Sequence, residues 1–219
     1  MSDDDHQPWI AELNRYLPTD LAHRQRLLET SARHCAFLVE ANRKYNLTAL
    51  TSPTDLAIKH VVDSLAALPL LSGVGTVLDL GSGPGFPGVP LAVALPETQV
   101  VLAESTQKKA SFLREVVREL DLANVEVCAS RGEDVLRDRT VDTVVARAVA
   151  ATEKILRLLK PVRSRFRDVI LYKGPTGVSE ADQARHLGLR LGLQLEVAHQ
   201  YTLPADSGSR VLLRITHGP

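Results

Sequence analysis

The residues best suited to chemistry are gathered in one short run, Val77-Leu78-Asp79-Leu80-Gly81-Ser82-Gly83-Pro84-Gly85-Phe86-Pro87-Gly88. An apolar run ends in glycines at alternate positions, which reads as a strand followed by a loop whose backbone can approach a ligand closely. Pro87 suits the start of a following helix, and such a turn lies at the carboxyl edge of an open sheet, where ligands bind. Gly83 to Gly88 also matches the dinucleotide pattern G-x-G-x-x-G, which is weak on its own. The first glycine after the strand is Gly81, however, so the register is GxGxG, and Asp79 sits at the strand's end. A carboxylate beside a pyrophosphate is repelled, whereas one beside a cationic amino acid and a sulfonium is attracted. S-adenosyl-L-methionine carries both positive groups. Asp79, Gly81, Gly83 and Gly85 are therefore candidate cofactor residues.

Two further acidic positions fit a nucleoside. Glu104 follows the second apolar run, where an acid accepts hydrogen bonds from ribose hydroxyls in either kind of cofactor. Gly132 and Glu133, after the third run, fall where a doubly wound sheet meets the adenine edge. Between Arg147 and Lys173 there are eight basic residues against two acidic ones in a chain that is neutral as a whole. Lys154, Arg157 and Lys160 recur every third residue, and Arg163, Arg165 and Arg167 follow in an expected loop. That stripe suits phosphate contact, and equally a solvated helix face. The seven histidines are scattered without metal-ligand spacing, so no metal is expected.

These residues need elements to hold them. Strands are expected at Thr76–Leu80, Gln99–Ala103, Val125–Cys128, Val141–Ala146 and Val169–Tyr172, with helices near 87–95, 106–120, 152–160 and 179–191. The last helix is opened by a capping box at Ser179-Glu180-Ala181-Asp182. Gln194–Tyr201 and Arg210–Thr216 read as a closing hairpin that adds an antiparallel strand. Alternation of this kind gives an α/β fold, a doubly wound and mainly parallel sheet over residues 71–219. Residues 1–70 read as an N-terminal helical extension, with a helix over 20–41, a polar loop over 42–48 and a capping box at Ser52-Pro53-Thr54-Asp55. Ile58, Val61, Val62 and Leu65 then give that last helix one apolar face.

The chain has 219 residues, 44% hydrophobic and 24% charged, the composition of a folded soluble protein rather than a disordered one. No apolar run is long enough for a membrane span. The start, MSDDDHQPW, lacks the parts of a secretory leader, and two separated cysteines fit a reducing cytoplasm. No membrane partner and a monomeric state are expected.

Asn46-Leu47-Thr48, Lys59-His60-Val61-Val62-Asp63-Ser64, the glycine run from Asp79 to Gly88, Arg147-Ala148 and Lys173-Gly174 together resemble the RsmG (GidB) family of bacterial methyltransferases. The resemblance spans residues 46–174; the C-terminal 40 residues carry no matching motif. It implies transfer of a methyl group from S-adenosyl-L-methionine to the N7 nitrogen of a guanine in 16S rRNA, with the RNA or a small-subunit assembly intermediate as partner. It implies cofactor contacts at Gly81, Phe86, Glu104, Gly132, Glu133 and Arg147. Lys108, Arg131, Arg147 and Lys173 match basic positions near the RNA-facing mouth. Arg147 and Lys173 are the catalytic candidates, and Lys108, Arg131, Lys154, Arg157 and Arg165 the RNA-binding ones.

The chemistry agrees with what is missing. Guanine N7 has a free lone pair, so its methylation needs positioning rather than a general base. Cys128 sits at the end of a strand as a packed residue, not as a nucleophile, and Arg147-Ala148-Val149-Ala150 replaces the Asn/Asp-Pro-Pro-aromatic segment of exocyclic-amine enzymes. Three alternatives remain at this stage: a nicotinamide-dependent oxidoreductase, a noncatalytic RNA-binding assembly factor on the same fold, and methylation of a small molecule, against which the basic stripe speaks weakly.

Overall fold

The apolar runs read as strands all enter one seven-stranded sheet, in the order β3-β2-β1-β4-β5-β7-β6. In this computed structural model, which describes residues 6–218, they are β1 (Thr76–Leu80), β2 (Gln99–Ala103), β3 (Val125–Cys128), β4 (Thr143–Arg147), β5 (Asp168–Lys173), β6 (Leu193–Thr202) and β7 (Ser209–His217). Most of the stretch read for a leader, Met1 to Asp5, lies outside the described residues. Strands β1 to β5 run parallel, and β7 enters antiparallel between β5 and β6. Among the described residues no helix is long and apolar enough to cross a membrane.

Side chains alternate across a strand, and the two faces bury different halves of the molecule. Val77, Val100, Val145 and Ile170 face a core shared with α2 (Arg24–Tyr45), α5 (Gly88–Ala94) and α6 (Gln107–Glu119). Leu78, Val101, Val144 and Leu171 face a core shared with α7 (Gly132–Asp138), α8 (Thr152–Leu159) and α9 (Gly177–Arg190). The N-terminal helices α1 (Gln7–Tyr16) and α2 bring Leu13, Leu27 and Leu38 into the first of these cores.

The expected loop over 42–48 is mostly helix, because α2 runs on to Tyr45. Arg43 and Lys44 in the last turn favour the negative end of the helix dipole, and Asn46 ends it in the left-handed conformation. The Asn42 side chain then accepts from the N–H groups of Leu47 and Thr48. At Ser52 the N-cap half of the box forms, with Asp55 N–H donating to Ser52 Oγ at 3.1 Å, while the Asp55 carboxylate accepts from the Ser52 hydroxyl at 2.9 Å. The box expected at Ser179 does not form. Helix α9 starts two residues earlier, at Gly177, with Thr176 as its N-cap, and Glu180 turns away to other partners. The loop after β3, which taken alone reads as a charged helix start, does open a helix, α7, whose first turn carries Glu133 and Asp134.

After Ser52 the chain forms one continuous helical stretch of three parts. A first turn, α3 (Pro53–Asp55), widens into a π-helix (Leu56–Val62) and closes in α4 (Asp63–Leu65). Ile58, Val61 and Leu65 are buried as expected, but the wider turn also buries Leu56 and Ala57. A π-helix disturbs the i→i−4 ladder, and here the carbonyls of Lys59 and His60 bond outward to β4.

The sheet is stitched at its far end by Asp168, which has no exposed surface. It accepts from Thr143 Oγ1 at 2.6 Å and from Arg214 Nε and Nη2 at 3.0 and 2.6 Å, joining β4, β5 and β7. Arg214→Ala leaves that carboxylate buried beside a single hydroxyl. Urea unfolding of the variant is expected to show a loss of about 3 kcal/mol; a loss below about 0.5 kcal/mol would mean that the pair holds nothing.

Candidate active site

Strand order reverses between β1 and β4, so the chain leaves their carboxyl ends in opposite directions and opens a crevice there. The loop after β1 lines it. Gly81, Gly83 and Gly85 have φ of 74°, 55° and 101°, a region that side-chain-bearing residues rarely adopt. Gly81 and Ser82 donate to Ala103 O, which ties the loop to β2. Glu104 is buried and locks the same loop: Oε2 accepts from Gly83 N–H at 3.1 Å and Oε1 from Thr106 N–H at 2.7 Å. A cavity of about 380 Å³ opens beside it, lined by Gly81, Ser105, Arg131, Gly132, Glu133 and Lys154 among others.

Asp79 lies beneath the loop and does not face that cavity. It has no exposed surface, and its Oδ2 accepts from Gly88 N–H, at the first residue of α5, at 2.9 Å. A Cβ on Gly88 would stand 2.6 Å from that oxygen, so only glycine permits the contact. Oδ1 has no partner among the described residues. Burial pushes the Asp79 carboxyl up to about 7, against the hydrogen bond from Gly88.

On the other side of the segment after β4 lies a larger cavity of about 700 Å³, lined by Lys59, His60, Asp63, Arg147, Lys173 and Glu180 among others. Val149 borders both cavities, with a Cγ only 3.0 Å from where a Cβ on Gly81 would stand. Ala148, just before it, has φ 56°, which is uncommon for a non-glycine residue. The two cavities therefore meet at the carboxyl end of β4.

Arg147 is held from several sides. Its Nη1 donates to Lys59 O at 2.9 Å and to Asp63 Oδ2 at 3.1 Å, and its Nη2 donates to His60 Nδ1 at 3.0 Å. That bond places the His60 proton on Nε2, which reaches Thr48 Oγ1 at 3.3 Å. Phe86 is sandwiched between the rings of His34 and His60, each 4.6 Å away, and Arg147 lies 5.6 Å from its ring centre. Burial pushes His34 down to about 4. Burial and the neighbouring Arg147 push His60 down to about 3. Both imidazoles are thus neutral packing groups rather than acid–base catalysts. Phe86 itself is buried and stiffens the glycine loop from behind.

Lys173 donates to Ala150 O at 2.9 Å and pairs with Glu180 Oε2 at 3.0 Å. Burial would raise the Glu180 carboxyl, but the bonds from Lys173 and Thr152 outweigh it and hold it below its ordinary range. The other predicted positions spread widely. Arg131 and Lys154 border the smaller cavity, and Lys108 lies over the Tyr45 ring at 5.0 Å. Arg157 is exposed one turn further along α8. Arg163 and Arg165 lie in a 3-10 turn (Lys160–Arg165), not in an open loop, and Arg165 O accepts from Val141 N–H. Arg165 thus stands at the amino edge of the sheet, away from both cavities, because α8 runs back across the sheet.

Residues 27–202 match the family described as GidB, rRNA small subunit methyltransferase G. A ribosomal RNA small subunit methyltransferase G of Solibacter usitatus is 42% identical over 204 residues, 93% of this chain and 97% of the relative. Its counterpart in Geobacter sulfurreducens is 39% identical over 176 residues, 80% of this chain and 81% of the relative. This chain belongs to the rRNA small subunit methyltransferase G family. Solved O-methyltransferases share the fold: that of Bacillus cereus, in complex with S-adenosylhomocysteine, superposes with TM-score 0.59 at 17% identity, covering 84% of this chain and 90% of that one. TomG of Streptomyces achromogenes, in complex with S-adenosylmethionine, gives 0.57 at 18% identity, over 85% and 90%. As a member of that family, the chain brings to its site three residues to which the sequence alone assigns no role. They are Asp63, paired with Arg147, and two residues of the C-terminal strands that meet it, Tyr201, whose hydroxyl donates to Asp63 Oδ1 at 2.8 Å, and Arg210, whose Nε stands 3.7 Å from the same oxygen.

Asp79 gives a titration of known sign. Its unfolded carboxyl ionises near 3.9, so from about pH 4 to 7 the folded state keeps a proton that the unfolded state has lost. Asp79 therefore makes stability fall as pH rises through that window, while His34 and His60, held neutral, make it rise between about pH 4 and 6.5. Asp79→Asn removes only the first effect. The difference in unfolding free energy, variant minus wild type, is expected to grow from pH 4 to pH 7; a difference flat in pH would mean that Asp79 is ionised in the fold throughout.

Proposed function

We propose that this chain transfers a methyl group from S-adenosyl-L-methionine to the N7 nitrogen of a guanine in 16S rRNA. The observation that carries the reading is the meeting of the two cavities at Val149, two residues after Arg147, one bordered by the glycine loop and the other lined by paired charges. The cofactor supplies an electrophilic methyl on a sulfonium.

The chain's own residues do the rest. The loop at Gly81, Gly83 and Gly85, locked by Glu104, holds the cofactor together with Gly132 and Glu133 in the wall of the smaller cavity, and the orphan oxygen of Asp79 stays beneath the loop as support. The larger cavity takes the base. Its carboxylates, Asp63 and Glu180, are each committed to a cation, and His60 has both ring nitrogens engaged. No free general base stands there among the described residues, which suits a nucleophile with its lone pair already available. Arg147 and Lys173 orient the base and exclude water. Because each is paired with a carboxylate, they present little net positive charge to the methylated, cationic guanine.

Arg131 and Lys154 line the cofactor cavity, Arg157 follows one turn along α8, Lys108 lies over Tyr45, and Arg165 stands at the amino edge of the sheet. We read these as phosphate contacts to the small-subunit RNA or to an assembly intermediate. The chain acts as a monomer in the cytoplasm, where that RNA is found. The family match favours neither the nicotinamide-dependent oxidoreductase nor the noncatalytic assembly factor.

Incubation of the protein with labelled S-adenosyl-L-methionine and undermethylated small-subunit RNA is expected to place label on one guanine, at N7. Label on another atom, or none, would overturn the reading. Lys154→Glu with Arg157→Glu is expected to weaken RNA binding and to flatten its log–log salt dependence by roughly 0.7 for each phosphate contact removed. An unchanged salt slope would assign both residues to a solvated helix face.

A further inference from the structure

We propose that Glu180 and Lys173 form the element that reads guanine in the larger cavity. The Glu180 carboxylate accepts, through Oε1, from the exocyclic N2 amino group, and the Lys173 ammonium donates to O6. This deepens the function proposed above and rests on it. Attack by N7 turns one edge of the base towards the methyl donor and leaves the Watson–Crick edge for the protein. On guanine that edge sets an acceptor, O6, beside donors at N1 and N2. Adenine presents the reverse, a donor at N6 beside an acceptor at N1. A fixed ammonium next to a fixed carboxylate complements guanine and opposes adenine.

The pair has the required geometry and the required vacancies. Lys173 Nζ stands 3.0 Å from Glu180 Oε2, with side-chain exposures of 11% and 30%, and both residues line the cavity. Glu180 Oε2 is saturated: it also accepts from Thr152 Oγ1 at 3.0 Å and faces Thr152 N–H at 3.4 Å. Oε1 has one long contact, 3.3 Å from Thr176 Oγ1, and so keeps lone-pair capacity for a ligand. Lys173 spends two of its three N–H groups, on Ala150 O and on Glu180. The other carboxylate of the cavity offers no such opening. Asp63 is 4% exposed, with Oδ2 on Arg147 and Oδ1 shared by Tyr201 and Arg210.

The fold holds the pair in advance. Gly177 lets the first turn of α9 press against β5, since a Cβ there would lie 2.8 Å from those of Lys173 and Val211. That approach brings Glu180, one turn on, over Lys173 and the start of α8. Groups fixed before binding lose little freedom when the base arrives.

A role confined to capping α8 makes a different prediction, and inosine separates the two. Inosine keeps O6, N1–H and N7 but lacks the N2 amine. Single-turnover methylation is measured for wild type, Glu180→Gln and Glu180→Asp on small-subunit RNA carrying guanine or inosine at the nucleotide mapped by the labelling experiment. Wild type is expected to favour guanine by about tenfold or more in kcat/KM, as for a lost hydrogen bond to a charged group. Both variants are expected to slow on guanine and to bring the ratio towards one. A capping role slows both substrates equally and leaves the ratio unchanged, which would overturn the proposal, as would a wild type indifferent to inosine. If Glu180→Gln does not fold, the ratio in Glu180→Asp decides. Wild type inactive on guanine RNA would contradict the proposed function instead.

Discussion

One buried carboxylate holds the site together. Asp63, 4% exposed, accepts from Arg147 on β4 and from Tyr201 on β6, and Arg210 on β7 stands 3.7 Å away. It is the last residue reached from the π-helix and the first of α4, so this one side chain ties the N-terminal helical stretch to three strands of the sheet. A buried charge is tolerable only when paired and hydrogen-bonded on all sides, and removing one partner leaves the others uncompensated. The arrangement is therefore close to all-or-none. It fixes where Arg147 can be, and Arg147 fixes His60 and, through the ring stack, Phe86 and the glycine loop.

The same constraint explains why the site contains so many ionisable groups and so little free acid–base capacity. Asp79 is turned inward onto α5, His34 and His60 are neutral packing rings, and Glu180 is held by Lys173 and Thr152. Each of these groups shapes a wall. The π-helix contributes in a way a regular helix could not, because its Lys59 and His60 carbonyls reach out to Arg147 while Leu56, Ala57, Ile58 and Val61 stay in the core. The larger cavity is thus built from backbone and paired charge, which favours placement over proton transfer.

The strands and the glycine loop were legible because their signals are local. Short apolar runs bounded by glycine and proline placed β1, β2 and β3 at their observed limits. Local signals failed where the partner is distant in sequence. Glu180 looked like part of a capping box, yet its partners are Thr152 and Lys173, brought near by the packing of α9 on β5. Asp79 looked like a ligand to a cation because its position at the strand end is visible, whereas the direction of its side chain, set by the close approach of Gly88, is not. Arg165 fell in a continuous basic stripe along the chain, but α8 carries that stripe from one edge of the sheet to the other. Asp63 and Tyr201 lie 138 residues apart, with Arg210 further along the chain still, and they meet only through the insertion of β7.

The most direct test of this account is Asp63→Asn, which keeps the shape of the side chain and removes its charge. Urea unfolding and single-turnover methylation of small-subunit RNA are measured on the same preparation. The account predicts a loss of about 3 kcal/mol in stability, since Arg147 is left buried without its counter-ion. It also predicts a fall in methylation rate on the order of tenfold or more for the protein that remains folded, since the placement of Arg147 is lost. Wild-type stability together with a wild-type rate would contradict it.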